Sequence, residues 1–131
     1  MALTSKVLVL AALLSCACIG EAGSKLAITD GKLPSPEFGH GRGWVAKNVE
    51  VSASNGTPMW DVRARLGVEV AGVNRIRYGT LPDGFIEYVA AQPLVSGECY
   101  KIATDAAPAG GEVMRFHVVG DHVVAGCDPL R

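Results

Sequence analysis

Three histidines, four cysteines and thirteen carboxylate residues are the side chains of this chain that could hold a metal, exchange a disulfide or move a proton. His117 and His122 flank Gly120-Asp121. Read as a two-residue turn, that dipeptide sets both imidazoles diagonally across one face of a hairpin, where they could share a zinc ion. Zinc normally takes a third and a fourth ligand. Only Asp121 offers a nearby oxygen, and Arg115 would repel a cation, so His117 and His122 are weak candidates, and the sequence implies no metal and no other cofactor. Asp61 and Glu69 are carboxylates on a strand-like run where acid–base work is conceivable. The chain has no Gly-x-Ser-x-Gly elbow, no His-Glu-x-x-His helix and no cysteine nucleophile with a dedicated base, so the reading is a protein that is not an enzyme.

The cysteines first raise the question of address. Met1 to Lys6 carries one positive charge, and Val7 to Leu14 is an unbroken apolar run, too short to span a bilayer and of the form of a secretory leader. Leu13-Leu14-Ser15-Cys16 resembles a lipobox, the site at which bacterial lipoproteins receive a lipid on cysteine and are cut just before it. The resemblance implies a signal peptide over residues 1–15 and a lipid on Cys16, which would hold the protein on a membrane without any transmembrane helix. A second cut is open after Ala22, where Gly20-Glu21-Ala22 has the small-x-small form of an ordinary signal-peptidase site and would release a free periplasmic or secreted domain. Either way Cys99 and Cys127 remain, a natural pair in an oxidising compartment. Their bond closes a loop of about 28 residues and stabilises by roughly 3 to 4 kcal/mol in the chain-entropy picture. A redox role has less to recommend it, since the mature domain carries no Cys-x-x-Cys pair.

With the leader removed about 110 residues remain, one domain by length, with a net charge near zero and scattered basic residues that make no footprint for nucleic acid. Period-two patterning dominates. Trp60, Val62, Ala64, Leu66, Val68 and Val70 alternate with Asp61, Arg63, Arg65, Gly67 and Glu69, which predicts one long strand with a bulge or bend near Gly67. Val49, Val51 and Ala53 predict another, and Ile76 with Tyr78 a third. Leu81-Pro82-Asp83-Gly84 reverses the chain into a strand over Phe85 to Val89. Val113 to Ala125 predicts the hairpin, with Phe116, Val118, Val123 and Ala125 on its core face.

Leu94-Val95-Ser96-Gly97-Glu98-Cys99-Tyr100-Lys101-Ile102 resembles the corner of fibronectin type III and other immunoglobulin-like sandwiches, where a tyrosine hydroxyl bonds back to upstream backbone. The resemblance implies an all-β fold, a small antiparallel β-sandwich with one disulfide. Antibody-type domains place the tyrosine two residues before the core cysteine, whereas Cys99 directly precedes Tyr100 and must face the other way. Its disulfide is therefore not expected to be the inter-sheet pin.

The domain is expected over residues 44–131, with residues 16–43, rich in glycine and proline, as a flexible arm or tether. Arg63 and Arg65 on the wet strand face, with Asp83 and Phe85 in the neighbouring turn, form the expected partner surface. The function expected is that of a small lipoprotein of the cell envelope, a binding or structural module held by its lipid to a membrane and meeting an envelope protein or peptide. A secreted inhibitor or immunity-type protein acting through Leu81 to Phe85 or Asp105 to Gly111 is an alternative, and a metal-assisted hydrolase built on His117 and His122 is another.

Overall fold

The computed structural model describes residues 26–41, 45–66, 72–105 and 111–127. They form nine strands in two antiparallel sheets: β1 (Ala27–Asp30), β2 (Glu37–Gly39), β3 (Asn48–Ala53), β4 (Pro58–Ala64), β5 (Arg75–Arg77), β6 (Phe85–Val89), β7 (Cys99–Thr104), β8 (Glu112–Val119) and β9 (His122–Ala125). One sheet has the order β1-β2-β5, the other β6-β4-β3-β7-β8-β9. The fold is thus an all-β sandwich, divided six and three where immunoglobulin constant domains divide four and three. Among the described residues no helix is long and apolar enough to cross a membrane.

Alternation decides which side chains meet between the sheets. Val49, Val51, Trp60, Val62, Tyr100, Ile102, Phe116, Val118 and Val123 come from the larger sheet, and Phe38 and Ile76 from the smaller. Phe38 closes against Phe116 edge to face, ring centres 5.1 Å apart, and Phe116 stacks on Tyr100 at 5.6 Å. Such ring pairs contribute about 0.5 to 1.5 kcal/mol beyond the area they bury. Trp60 meets Tyr78 in a second edge contact at 5.2 Å. The Tyr78 hydroxyl donates to the Gln92 carbonyl at 2.7 Å, so the ring is buried without leaving its polar end unpaired.

The corner before β7 has the bond that the resemblance implied: the Tyr100 hydroxyl accepts the Val95 amide proton at 2.9 Å. Cys99 faces away from the core and is joined to Cys127, 28 residues on, with a Cα–Cα separation of 6.0 Å. Because β7, β8 and β9 are neighbours, this bond ties the end of the hairpin to its own sheet and leaves the space between the sheets to apolar side chains.

Residues 26–41 are not the loose arm expected of them. They supply β1 and β2, and Leu26, Pro36 and Phe38 are buried. The reason is long-range pairing: Phe38 stands opposite Ile76 and between neighbours that no local period announces. Gly31 to Leu33 then crosses to the larger sheet, where Val123 N–H donates to the Gly31 carbonyl at 2.8 Å and Leu33 N–H to the Asp121 carbonyl at 2.9 Å. This strap covers the free edge of β9.

The long strand expected from Trp60 ends sooner. β4 stops at Ala64, and Leu66 is 93% exposed, so the alternation outruns the sheet available to bury it. Gly67, where a bend was expected, lies outside the described residues. The hairpin is as expected, with Val118 opposite Val123 and Phe116 opposite Ala125, although Ala125 itself is exposed.

Candidate functional site

The outer face of the larger sheet, at its β6 end, gathers the most organised set of polar side chains. Asp61 and Arg63 lie two residues apart on β4 and so share a face. Arg63 Nε and Nη2 donate to the two Asp61 carboxylate oxygens at 3.1 and 2.9 Å, a bidentate fork. This bond, and the carboxylate charge, raise the Arg63 pKa above its ordinary value. The pair is asymmetric, with the Asp61 side chain 9% exposed and that of Arg63 50% exposed.

β6 supplies the aromatic partner. Its pairing with β4 slips between Val62–Glu87 and Asp61–Val89, which leaves one extra residue in β6. Such bulges re-aim side chains. Here Tyr88 comes to lie under Arg63, whose guanidinium carbon is 4.4 Å from the ring centre. A guanidinium over an aromatic face is attracted by the ring quadrupole. Arg63 is therefore held from below by Tyr88 and from the side by Asp61, with an outer surface still open to a partner.

A cleft of about 330 Å³ runs from Arg63 and Asp61 across Glu50 and Asn48 to Ala103, Asp105 and Gly111. Glu50 stands directly opposite Asp61 in the ladder. Asp105 forms the far wall and is fixed there, accepting the Lys47 and Asn48 backbone amides, each at 2.8 Å, and Asn48 Nδ2 at 2.9 Å. With both Asp61 oxygens engaged by Arg63, the carboxylate expected as an acid–base candidate is instead the group that positions a cation.

The expected partner surface is partly assembled. Arg65 is exposed and makes no ion pair among the described residues, and Asp83 is exposed in the turn before β6. Phe85 does not belong to it. At 4% exposure it is a core residue, because it pairs with Ala64 on the inner face of the sheet. Tyr88 and Ile86, exposed by 57% and 38%, take its place. The alternation of Phe85-Ile86-Glu87-Tyr88 contained that signal, since burying Phe85 turns Ile86 and Tyr88 outward.

His117 and His122 do not converge. His117 Nδ1 lies 2.6 Å from the Gly126 carbonyl and must donate to it, which leaves Nε2 as the acceptor of the neutral ring. His122 Nδ1 bonds instead to Asp121 Oδ1 at 2.7 Å, a contact that lowers the Asp121 pKa. Among the described residues no three histidine, cysteine, aspartate or glutamate side chains are grouped as metal ligands. Cys16, Glu69 and residues 106–110 of the second expected inhibitory loop lie outside the described residues.

Compared with protein-family models, curated proteins and solved structures, the chain gives no significant match.

Proposed function

We propose that this protein is a non-enzymatic binding module of the bacterial cell envelope, exported by its leader, held at a membrane by a lipid on Cys16, and engaging a polypeptide partner through the Arg63 end of the larger sheet. One observation carries the binding surface: Arg63 is fixed by Asp61 and Tyr88 before any partner arrives. Arginine and tyrosine are enriched where proteins meet, and a side chain already ordered costs less to immobilise on binding. Exposed Ile86 adds apolar area beside them, and Arg65 adds a cation without an ion-pair partner among the described residues. The address rests on the leader and on Cys16 in its lipobox-like context.

The test is photo-crosslinking in intact cells, with a photoreactive phenylalanine analogue at Tyr88 of the full chain. The expected result is one dominant adduct, lost when Arg63→Ala is added. An equal yield from the same analogue at Thr29, on the other sheet, or no adduct from Tyr88, would overturn the binding reading. The intact mass of the membrane-bound protein tests the address. A lipid-modified chain beginning at Cys16 supports it, and an unmodified chain beginning at Gly23 removes the anchor.

A further inference from the structure

We infer that the Cys99–Cys127 disulfide is a thiol–disulfide exchange site, that Cys99 is the sulfur released and His117 its acid–base partner, and that the substrate is a dithiol. This site is separate from the Arg63 face and does not depend on it. Cysteines buried in apolar surroundings are inert, whereas reactive ones sit partly exposed among cations. Cys99 and Cys127 are both half-buried, and both line an open groove of about 940 Å³ on the outer face of the larger sheet.

The register sets His117 beside Cys99. Gly97 N–H donates to the Val118 carbonyl at 2.8 Å, and Val118 N–H to the Glu98 carbonyl at 3.1 Å, a bulge just before β7. The next pair, Cys99 with His117, therefore lies between bonded pairs, where facing side chains come closest. On the other side of β8, Gly126 N–H donates to the Arg115 carbonyl at 2.7 Å, and the same alternation turns the His117 backbone to β9 and away from Cys99. The imidazole thus stands opposite Cys99 and is bonded through Nδ1 to the Gly126 carbonyl, one residue before Cys127.

Charge favours a thiolate here. Lys101 and Arg115 stand directly opposite each other, two residues from Cys99 and His117 on the same face. Like charges so placed repel, and neither side chain enters an ion pair among the described residues. Val124 from β9 and Ser52 from β3 are the uncharged cross-strand neighbours of His117 and Lys101, and Glu98 is the only carboxylate among the described residues that line the groove. The two sulfurs differ. Cys127 Sγ is 3.1 Å from the Phe116 carbonyl oxygen, which accepts from a thiol and repels a thiolate. Once the bond is open, Cys127 is held as the thiol and Cys99 carries the negative charge.

In the exchange one thiol of the dithiol gives its proton to His117 Nε2, and its sulfur attacks Cys127 Sγ. A sulfur–sulfur bond forms there. The bond to Cys99 breaks with its electron pair on Cys99, the sulfur better able to leave as a thiolate, and the imidazolium returns the proton to it. The second thiol then attacks the dithiol's own sulfur in the mixed disulfide, and Cys127 is released with that thiol's proton. The dithiol leaves as a disulfide, and two electrons and two protons have passed to the protein.

The experiment uses the full chain in its oxidised state, with dithiothreitol as the dithiol. The disulfide is expected to open at neutral pH without urea and with native circular dichroism retained. His117→Asn keeps an N–H for the Gly126 carbonyl but has no nitrogen that takes up a proton. It is expected to slow opening about tenfold and to leave a pH profile that follows the ionisation of dithiothreitol alone. His122→Asn is expected to keep the wild-type rate. In the reduced wild type, iodoacetamide is expected to label Cys99 before Cys127, read by peptide mass. Opening only where urea unfolds the chain, a His117→Asn rate equal to wild type, an equal loss in His122→Asn, or Cys127 labelled first would each overturn the inference.

Discussion

The Tyr100 hydroxyl and the Val95 amide, five residues apart, are joined by a 2.9 Å hydrogen bond in which the tyrosine oxygen is the acceptor. The bond fixes the angle at which the chain enters β7, while the ring of the same residue stacks on Phe116. Tyr100→Phe keeps the ring and removes the acceptor. It is expected to cost about 1 to 2 kcal/mol, read as a lower urea midpoint with an unchanged slope. A midpoint equal to wild type would show that the corner is held by its packing alone.

Removing the disulfide should act mainly through the unfolded chain. The Cys99→Ala/Cys127→Ala double variant is expected to keep the native circular dichroism and lose about 3 to 4 kcal/mol. Reduction of the wild-type protein should move its unfolding midpoint in the same direction. Cys99 lies in β7 and Cys127 just past the end of β9, strands of the same sheet, so the spacing of the two sheets should not change.

Gly31 tests the strap. A β-carbon built there would sit 2.7 Å from the Val123 carbonyl oxygen, and backbone cannot yield as a flexible side chain does. Gly31→Ala is expected to cost about 1 to 3 kcal/mol and to speed amide exchange at Val123, the donor to the Gly31 carbonyl. Gly56→Ala, where nothing lies within 4 Å, is a control for the space but not for the backbone, because Gly56 has φ +92°.

Burial pushes the Tyr78 hydroxyl up to about 12 from its ordinary 10. The folded state thus binds this proton more tightly than the unfolded chain. Its contribution to stability is complete below pH 10 and is lost as the pH rises from 10 towards 12. Deprotonation would also remove the donor to the Gln92 carbonyl. Unfolding midpoints taken across that window should fall more steeply for wild type than for Tyr78→Phe. Parallel curves would assign the alkaline loss to other groups.

Strands whose neighbours in sequence are also their neighbours in space were legible from alternation. The hairpin of β8 and β9 is of this kind, while the turn before β6 and the corner at Tyr100 were legible from their own turn residues, although β6 pairs with β4, and β7 with β3 and β8. β2 was not legible, because Glu37-Phe38-Gly39 has one apolar residue and owes its burial to Ile76, far along the chain. The candidate site was half legible. Arg63 announced itself as a charge on a strand face, but the bulge that brings Tyr88 beneath it follows from the register of two strands and not from either one alone. Phe85 misled for a related reason: a residue beside a turn can begin the inward face of the strand that follows.

The strap between Gly31 and Val123 joins the beginning of the described chain to its last strand. Such contacts between distant parts of a chain form late and slow folding. In a protein delivered amino end first, the strap of Gly31 to Leu33 would have to wait, without its β9 partners, until Asp121 and Val123 had arrived. The sandwich is thus sealed at a seam between its two ends. Until the seam closes, the β9 edge lacks the cover that Gly31 to Leu33 give it.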